Sequence, residues 1–251
     1  PMAPGVGGFA AEQQDRRPHD HEYYEVCIIR SGVALHFTND LEERLTGITV
    51  IVMAPGAVHS IYGLSDLVQT NIYYLPEWLC DDLSAFWRQE GLVPLFLAAA
   101  LFRTPLARNA FQFHLTEEEM ASIDQELGDI GRESVLDQPS LIFLNSTLVK
   151  LLIKLSRAYM RQCEDDILLA FRPEVRKALE LIEQRVLQCE PITLGDLADR
   201  TNLSPNHCTA IFKQAVGWAP MEYYQRRRIH HACRLLLNPE KQITDIALDL
   251  G

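Results

Sequence analysis

Between Glu22 and about Leu75 the apolar residues come in short runs. YEVCIIRS, VALHFT, ITVIVMA and TNIYYL are rich in Val, Ile, Tyr and Thr, and Ser31-Gly32, Asn39-Asp40, Pro55-Gly56 and Ser65-Asp66 separate them. Side chains alternate across a strand, so these runs predict β-strands, and several at close spacing predict a sandwich or barrel. After Leu75 the apolar period lengthens to that of helices. LTEEEMASIDQELGDI opens with a capping box, Thr116 followed by Glu119. In SLIFLNSTLVKLLIKLSRAYM, Leu141, Leu144, Leu148, Leu151, Leu155 and Ala158 recur at spacings of 3, 4, 3, 4 and 3. That pattern fits a homodimer seam through Leu141, Leu144, Leu148, Leu151 and Leu155. It fits equally an amphipathic helix packed on its own domain, and about three heptads do not separate the two.

RQCEDDILLAFRP, charged and ending in proline, reads as a linker, and everything from Glu174 onward reads as helices with short turns. The expected fold class is α+β. Residues 1–18 are Gly/Pro/polar and read as a loose arm. Residues 19–163 form a β-barrel with supporting helices, 164–173 the linker, and 174–251 an all-α domain. No apolar run reaches about 18 residues, so no membrane span is predicted. PMAPGVGGFAAEQQDRR lacks the basic start and apolar core of a secretory signal. The six cysteines include no CxxC pair, which suits reduced thiols in a cytoplasmic protein.

Net charge is -11, unevenly spread. Residues 1–170 hold 12 basic and 24 acidic residues, and residues 171–251 hold 11 and 10. Only the C-terminal part escapes the anionic excess, which permits nucleic-acid binding there. In LGDLADRTNLSPNHCTAIFKQ, Leu194, Leu197 and Ala198 give a short helix an apolar face, and Thr201-Asn202 breaks it. Ser204 is placed to cap a second helix with Pro205 at its first position. Cys208, Ile211 and Phe212 bury one side of that helix; Asn206, His207, Thr209, Ala210 and Lys213 occupy the other. Short and polar side chains without an acid suit a major groove, where Asn bonds adenine and Lys reaches phosphate or guanine. A generic helical hairpin gives part of the same pattern.

Residues 174–251 resemble the DNA-binding half of the AraC/XylS transcription regulators. The resemblance rests on Ala198, Ser204-Pro205, Phe212-Lys213, Gly217, Pro220, Tyr223, Arg228 and Ala232 with Leu235-Leu236. Ala219 departs from it, standing where the family usually has a capping Ser. The resemblance implies that Ser204, Asn206, His207, Thr209, Ala210 and Lys213 face DNA and that Arg228 sits in an internal ion pair; Arg226 and Arg227 read as a solvated face of the connecting helix, with phosphate contact the alternative. It also implies two helix-turn-helix units. ITDIALDLG resembles the first helix of the second unit, so the chain reads as truncated before the second recognition helix.

HDHEYYE places His19, His21, Tyr23 and Glu25 at one parity, on one face of a strand, and His59 follows a Pro-Gly turn. His19, His21, Glu25 and Gly32 resemble the first motif of the cupin barrel. The second motif is looser: Gly47 lies too far upstream, Ala54 replaces a proline, and Gly63 stands at the Asn position. The resemblance implies an effector pocket at His19, His21, Tyr23, Glu25 and His59. Three imidazoles and a carboxylate (His19, His21, Glu25, His59) also suit a divalent metal: Zn, Ni, Fe or Mn.

Together these resemblances imply a cytoplasmic, non-enzymatic regulator. Its partners would be promoter DNA, a small-molecule effector, a second copy in a homodimer, and RNA polymerase, with no membrane. A sugar or sugar derivative is the first effector expected, and LVQTNIYYLPEWL is reminiscent of the rhamnose-type members. The alternatives are a cupin metalloenzyme, such as a dioxygenase or sugar isomerase, and a constitutive DNA binder whose barrel senses nothing.

Overall fold

The computed structural model describes residues 5–10, 17–38, 41–79, 83–102, 110–162, 172–236 and 242–250. The chain divides into two compact units. The first holds residues 1–79, 90–100 and 105–164, and the second holds 80–89, 101–104 and 165–251. The boundary is less simple than the sequence predicts, because two short segments after the barrel belong to the helical unit. The expected linker lies almost wholly outside the described residues. No described helix is long and apolar enough to cross a membrane.

The first unit is built on a curled antiparallel sheet of β1 (Gly5–Ala10), β2 (Tyr24–Thr38), β3 (Leu41–Thr46), β4 (Thr49–Met53), β5 (His59–Tyr74) and β6 (Ala110–His114). The order is β1-β5-β2-β4-β6, with β3 paired to β2. The residues expected to form a loose arm instead include β1, which pairs with β5 from Gly5↔Tyr73 to Ala10↔Val68. YEVCIIRS and VALHFT are one strand. Ser31-Gly32 does not turn the chain back but bends it, through register shifts between Ile29 and Ala34 against β5. Gly32 has φ +87, and a Cβ there would lie 2.4 Å from the Ser65 carbonyl oxygen and 2.5 Å from that of Asp66. Only glycine fits such a corner.

Directly opposed residues of antiparallel strands share a face. Glu25, Cys27 and Ile29 oppose Met53, Ile51 and Thr49 on β4 and Tyr73, Asn71 and Gln69 on β5. This concave face continues into an apolar cluster of Cys27, Ile29, Ala34, Leu45, Ile51, Met53, Ala57, Ile61 and Leu67. The convex face, with Val26, Ile28, Val50, Val52 and Ile72, is also buried. Tyr74 Oη donates to the Phe96 carbonyl at 3.0 Å, and the Ala99 amide donates to Tyr24 Oη at 3.0 Å. Phe96 ends the short helix α2 (Leu92–Phe96) and Ala99 lies in α3 (Ala98–Leu101); both helices follow α1 (Leu83–Phe86).

α4 (Glu117–Ser134) starts at the expected capping box, and α5 (Leu141–Gln162) packs against it. Leu144, Leu148, Leu151 and Leu155 are fully buried within this unit, and Ala158 is nearly so. The seam is therefore a core of the monomer and not a free dimer face; only Leu141, 52% exposed, stands outside it. Glu126, almost completely buried on α4, is held by Lys150 Nζ at 2.8 Å and Lys154 Nζ at 2.7 Å.

The second unit comprises α1, α6 (Pro173–Leu187), α7 (Leu194–Thr201), α8 (Pro205–Val216), α9 (Pro220–Leu235) and α10 (Ile243–Leu250). α7 begins at a second capping box, Thr193 with Asp196, and ends at Asn202 in the left-handed region. α8 is capped by Ser204 and ends at Gly217, also left-handed. α9 has no side-chain cap at Ala219, as its sequence foretold. Cys27, Cys189, Cys208 and Cys233 are free thiols; Cys80 and Cys163 lie outside the described residues.

The internal ion pair is displaced by one position from the expectation. Arg227, not Arg228, is buried, and its Nε donates to Glu183 Oε1 at 2.9 Å and Oε2 at 3.1 Å. Tyr223 Oη donates to the same carboxylate at 2.7 Å, which ties α9 to α6. Arg228 lies over the Tyr224 ring at 5.4 Å and donates to Gln225. A helix advances about 100° per residue, so a one-residue offset moves a side chain from the core to the flank.

Two substitutions test this architecture by thermal melting. Gly32→Ala should cost about 2 kcal/mol or more, since it adds both a clash and a strained φ. Arg227→Ala should cost about 3 kcal/mol by stranding the buried Glu183 carboxylate, whereas Arg228→Ala should cost under about 1 kcal/mol.

Candidate functional site

The corner at Gly32 returns the long β2–β5 ribbon upon itself. Its two ends, one with Glu25 opposite Tyr73 and the other with His36 opposite Ile61 and Thr38 opposite His59, therefore meet on the concave face. The segment before β2 is fastened to the start of β5: the His19 amide donates to the His59 carbonyl at 3.0 Å, and the His59 amide to the His19 carbonyl at 2.9 Å. The Gly56 amide donates to the His21 carbonyl at 2.8 Å. The Pro55-Gly56 turn is thereby fixed beside HDHEYYE, and the imidazoles converge.

All five residues expected in the pocket are brought together. His59 Nε2 lies 3.2 Å from His19 Nε2 and 3.6 Å from Glu25 Oε2, and His21 Nε2 lies 3.2 Å from that same oxygen. His19, Glu25 and His59 present donor atoms that all fall within 4.8 Å of one another. Tyr23 stacks on His21, centroids 4.3 Å apart and planes 5° apart, and meets Tyr73 edge-on at 5.3 Å. Glu25 and His59 are buried, and His19 is exposed at the rim.

Backbone carbonyls orient two of the rings. His21 Nδ1 donates to the Tyr23 carbonyl at 2.7 Å, which leaves its Nε2 toward Glu25. That nitrogen lies beside the Glu25 carboxylate without a directed hydrogen bond. His19 Nδ1 approaches the Arg17 carbonyl at 3.4 Å, which leaves its Nε2 toward His59. Burial, reinforced by His36, His19 and His21, pushes His59 down to about 3, so it is neutral at physiological pH. Burial and the Glu25 charge raise the Tyr23 hydroxyl, and burial lifts Tyr73 to about 12. The Nε2 atoms of three imidazoles thus converge on one another and on a carboxylate. Imidazoles whose other nitrogen bonds a carbonyl are arranged as metal ligands usually are.

Sequence reasoning missed several polar groups on this face. Tyr73 and Asn71 occur at strand positions whose parity becomes readable only once the β2–β5 register is known. His36 lies inside VALHFT, an otherwise apolar run, where a single polar residue gave no motif. It is 2% exposed, and burial lowers it to about 4.

On the second unit, α8 buries Cys208, Ile211, Phe212 and Val216 and exposes Asn206, His207, Ala210 and Lys213, with Gln214 beside them. Gln214, one position past Lys213, was not expected there. Two of the expected DNA-facing residues have structural partners as well. Ser204 Oγ accepts the His207 amide at 3.3 Å, and Thr209 Oγ1 donates to the Pro205 carbonyl at 2.9 Å. Phe212 is wholly buried against Tyr223, ring centroids 5.7 Å apart, so the α8–α9 packing fixes which side α8 presents. Arg226 is exposed, its guanidinium 3.6 Å above the Trp218 ring.

Comparisons with known proteins cover both units. A family model described as an AraC-like ligand binding domain matches residues 4–118, and one described as a helix-turn-helix domain matches residues 197–251. The HTH-type transcriptional activator RhaR of Yersinia pestis bv. Antiqua (strain Angola) is 29% identical over 238 residues, covering 93% of this chain and 76% of that protein. RhaR of Shigella flexneri serotype 5b (strain 8401) is 27% identical over 257 residues, covering 97% and 85%. Among solved structures, ToxT from Vibrio cholerae aligns over 100% of this chain and 90% of its own, with 13% identity and a TM-score of 0.41. Relatives and family models alike are those of transcription regulators, so the metalloenzyme alternative falls. The chain is not an enzyme; it belongs to the AraC family of transcription regulators.

Proposed function

We propose that this protein is a cytoplasmic transcriptional activator that reads promoter DNA through α8 and senses a neutral, hydroxylated small molecule, a sugar or sugar derivative, in its barrel. The observation that carries the sensing half is the convergence of His19, His21, Glu25 and His59 beside Tyr23 and Tyr73. Hydroxyls both donate and accept, and aromatic faces pack against the C–H surface of a sugar ring; such a lining fits that chemistry. The DNA half rests on the exposed Asn206, His207, Ala210 and Lys213 face of a capped helix in a matched helix-turn-helix. Effector occupancy shifts the population of the DNA-competent form by no more than its differential affinity for the two states. A homodimer and contact with RNA polymerase belong to the same reading. With the α5 seam spent in the core, a dimer face would have to use other residues, such as the exposed Leu141, Ile142 and Phe143.

A divalent metal ion is the second reading of the same site, and the carbonyl-anchored Nδ1 atoms of His19 and His21 favour it. His19, His21, Glu25 and His59 would hold the ion. A bound Zn, Ni, Fe or Mn ion would supply a Lewis-acidic centre for effector oxygens. The chain's own contribution is to orient the imidazoles through the Arg17 and Tyr23 carbonyls and to bury the carboxylate that balances the charge.

Three outcomes test these readings. The double variant Asn206→Ala, Lys213→Ala should bind a promoter fragment selected from a random pool at least roughly tenfold more weakly and show a shallower salt dependence. Unchanged affinity would remove α8 as the reader. His21→Ala should lose the effector response while keeping basal DNA affinity. Protein purified without added metals or chelators should carry about one equivalent of transition metal per chain by elemental analysis, lost in Glu25→Gln. No metal would return the histidines to hydrogen-bonding roles.

A further inference from the structure

The concave face holds polar atoms that no protein group completes. His36 is 2% exposed, and neither of its ring nitrogens has a hydrogen-bond partner among the described residues. Asn71 Oδ1, Gln112 Oε1 and His59 Nδ1 are buried in the same condition. Register places these groups on one side of the sheet. Asn71 opposes Cys27, Gln112 opposes Ile51, and His36 opposes Ile61, and all three opposed residues belong to the apolar cluster of the concave face. The His36 ring is 6.2 Å from that of His59, so it lies one step inward from the histidine rim.

A buried polar group left unpaired is destabilising, and native proteins keep such groups where they serve a purpose. Leucine would satisfy the apolar surroundings of His36 at similar volume. The groups awaiting partners are also of one kind. Two are amide oxygens, which only accept, and two are neutral imidazoles, which donate at one nitrogen and accept at the other. A hydroxyl completes each of them. A carboxylate, which only accepts, completes neither amide oxygen and meets the Glu25 charge.

We propose that His36 is a direct effector-binding and specificity residue: the ligand passes the His19–His59 rim and places a hydroxyl against the His36 imidazole, which selects a neutral polyol over its carboxylate analogue. This rests on the sensing half of the proposed function and extends it inward, to a residue outside the rim motif.

The test uses full-length protein and the variants His36→Leu and His36→Gln. In the absence of ligand, His36→Leu should melt higher than the natural protein, because it removes an unpaired buried imidazole. A lower melting temperature would mean that His36 supports the fold, and would overturn the proposal. The second arm measures stabilisation by L-rhamnose, L-fucose, L-arabinose and D-xylose, each beside a uronic acid of similar size. Neutral sugars should bind and uronic acids should not. His36→Leu should weaken the binding at least roughly tenfold, and His36→Gln, which keeps a donor and an acceptor, should recover part of it. Undiminished binding by His36→Leu, or preference for the acid, contradicts the proposal. If no neutral sugar stabilises the natural protein, the sugar reading itself fails, and the ligand-free melting temperature of His36→Leu still decides whether His36 is a site residue or a structural one.

Discussion

The sensing half of this protein depends on one backbone corner. β2 and β5 run together for most of their length, and they fold over where Gly32 lies against the Ser65 and Asp66 carbonyls. No side chain larger than hydrogen fits there, and the left-handed φ adds a second reason for glycine. Because the ribbon turns at that point, residues at opposite ends of it become neighbours. Glu25 and His36 are separated by most of β2, yet both lie near His59. The chemistry of the pocket thus follows from strand geometry before any side chain is considered.

The site so formed is electrostatically unusual. A buried carboxylate faces the imidazoles of His21 and His59, and more polar atoms lie without hydrogen-bond partners among the described residues on the same face. Interiors this polar are costly without a bound partner. The helical unit shows the contrasting case. There the buried Arg227 meets a carboxylate that also accepts from Tyr223, and the caps of α7 and α8 satisfy their helix ends locally. The exposed side of α8 leaves an open polar surface.

Much of this was readable from the residues. Caps and left-handed stops depend on a few adjacent positions, so Thr116–Glu119 and Ser204-Pro205 located helices to the residue. The five site residues were named from strand parity and a turn, but only Glu25 of HDHEYYE's four lies in β2; His19, His21 and Tyr23 precede it, and the His19–His59 bridge brings them in. Strand continuity was harder. Ser31-Gly32 has the composition of a turn, and a bulged bend uses the same residues. β1, β3 and β6 were missed, LEERLT because an exposed edge strand has little apolar content to reveal it. The Leu144–Leu155 spacing described a real seam, but spacing says nothing about whether the matching surface belongs to the same chain. Arg227 and Arg228 differ by one position, and which of them turns inward is set by how α9 packs on α6. His36 gives no local signal at all, since its isolation is visible only once the opposing strands are known.

The central claim is that occupancy of the barrel changes DNA affinity. The most direct measurement titrates full-length protein into a labelled fragment selected from a random-sequence pool, with and without saturating L-rhamnose or whichever neutral sugar stabilises the fold most, and then measures sugar affinity with and without that DNA. Linkage requires the two affinity ratios to be equal. The account predicts a common factor of roughly five or more, in the range typical of coupled sites. Identical DNA-binding curves at saturating sugar would contradict it and leave the protein a constitutive DNA binder.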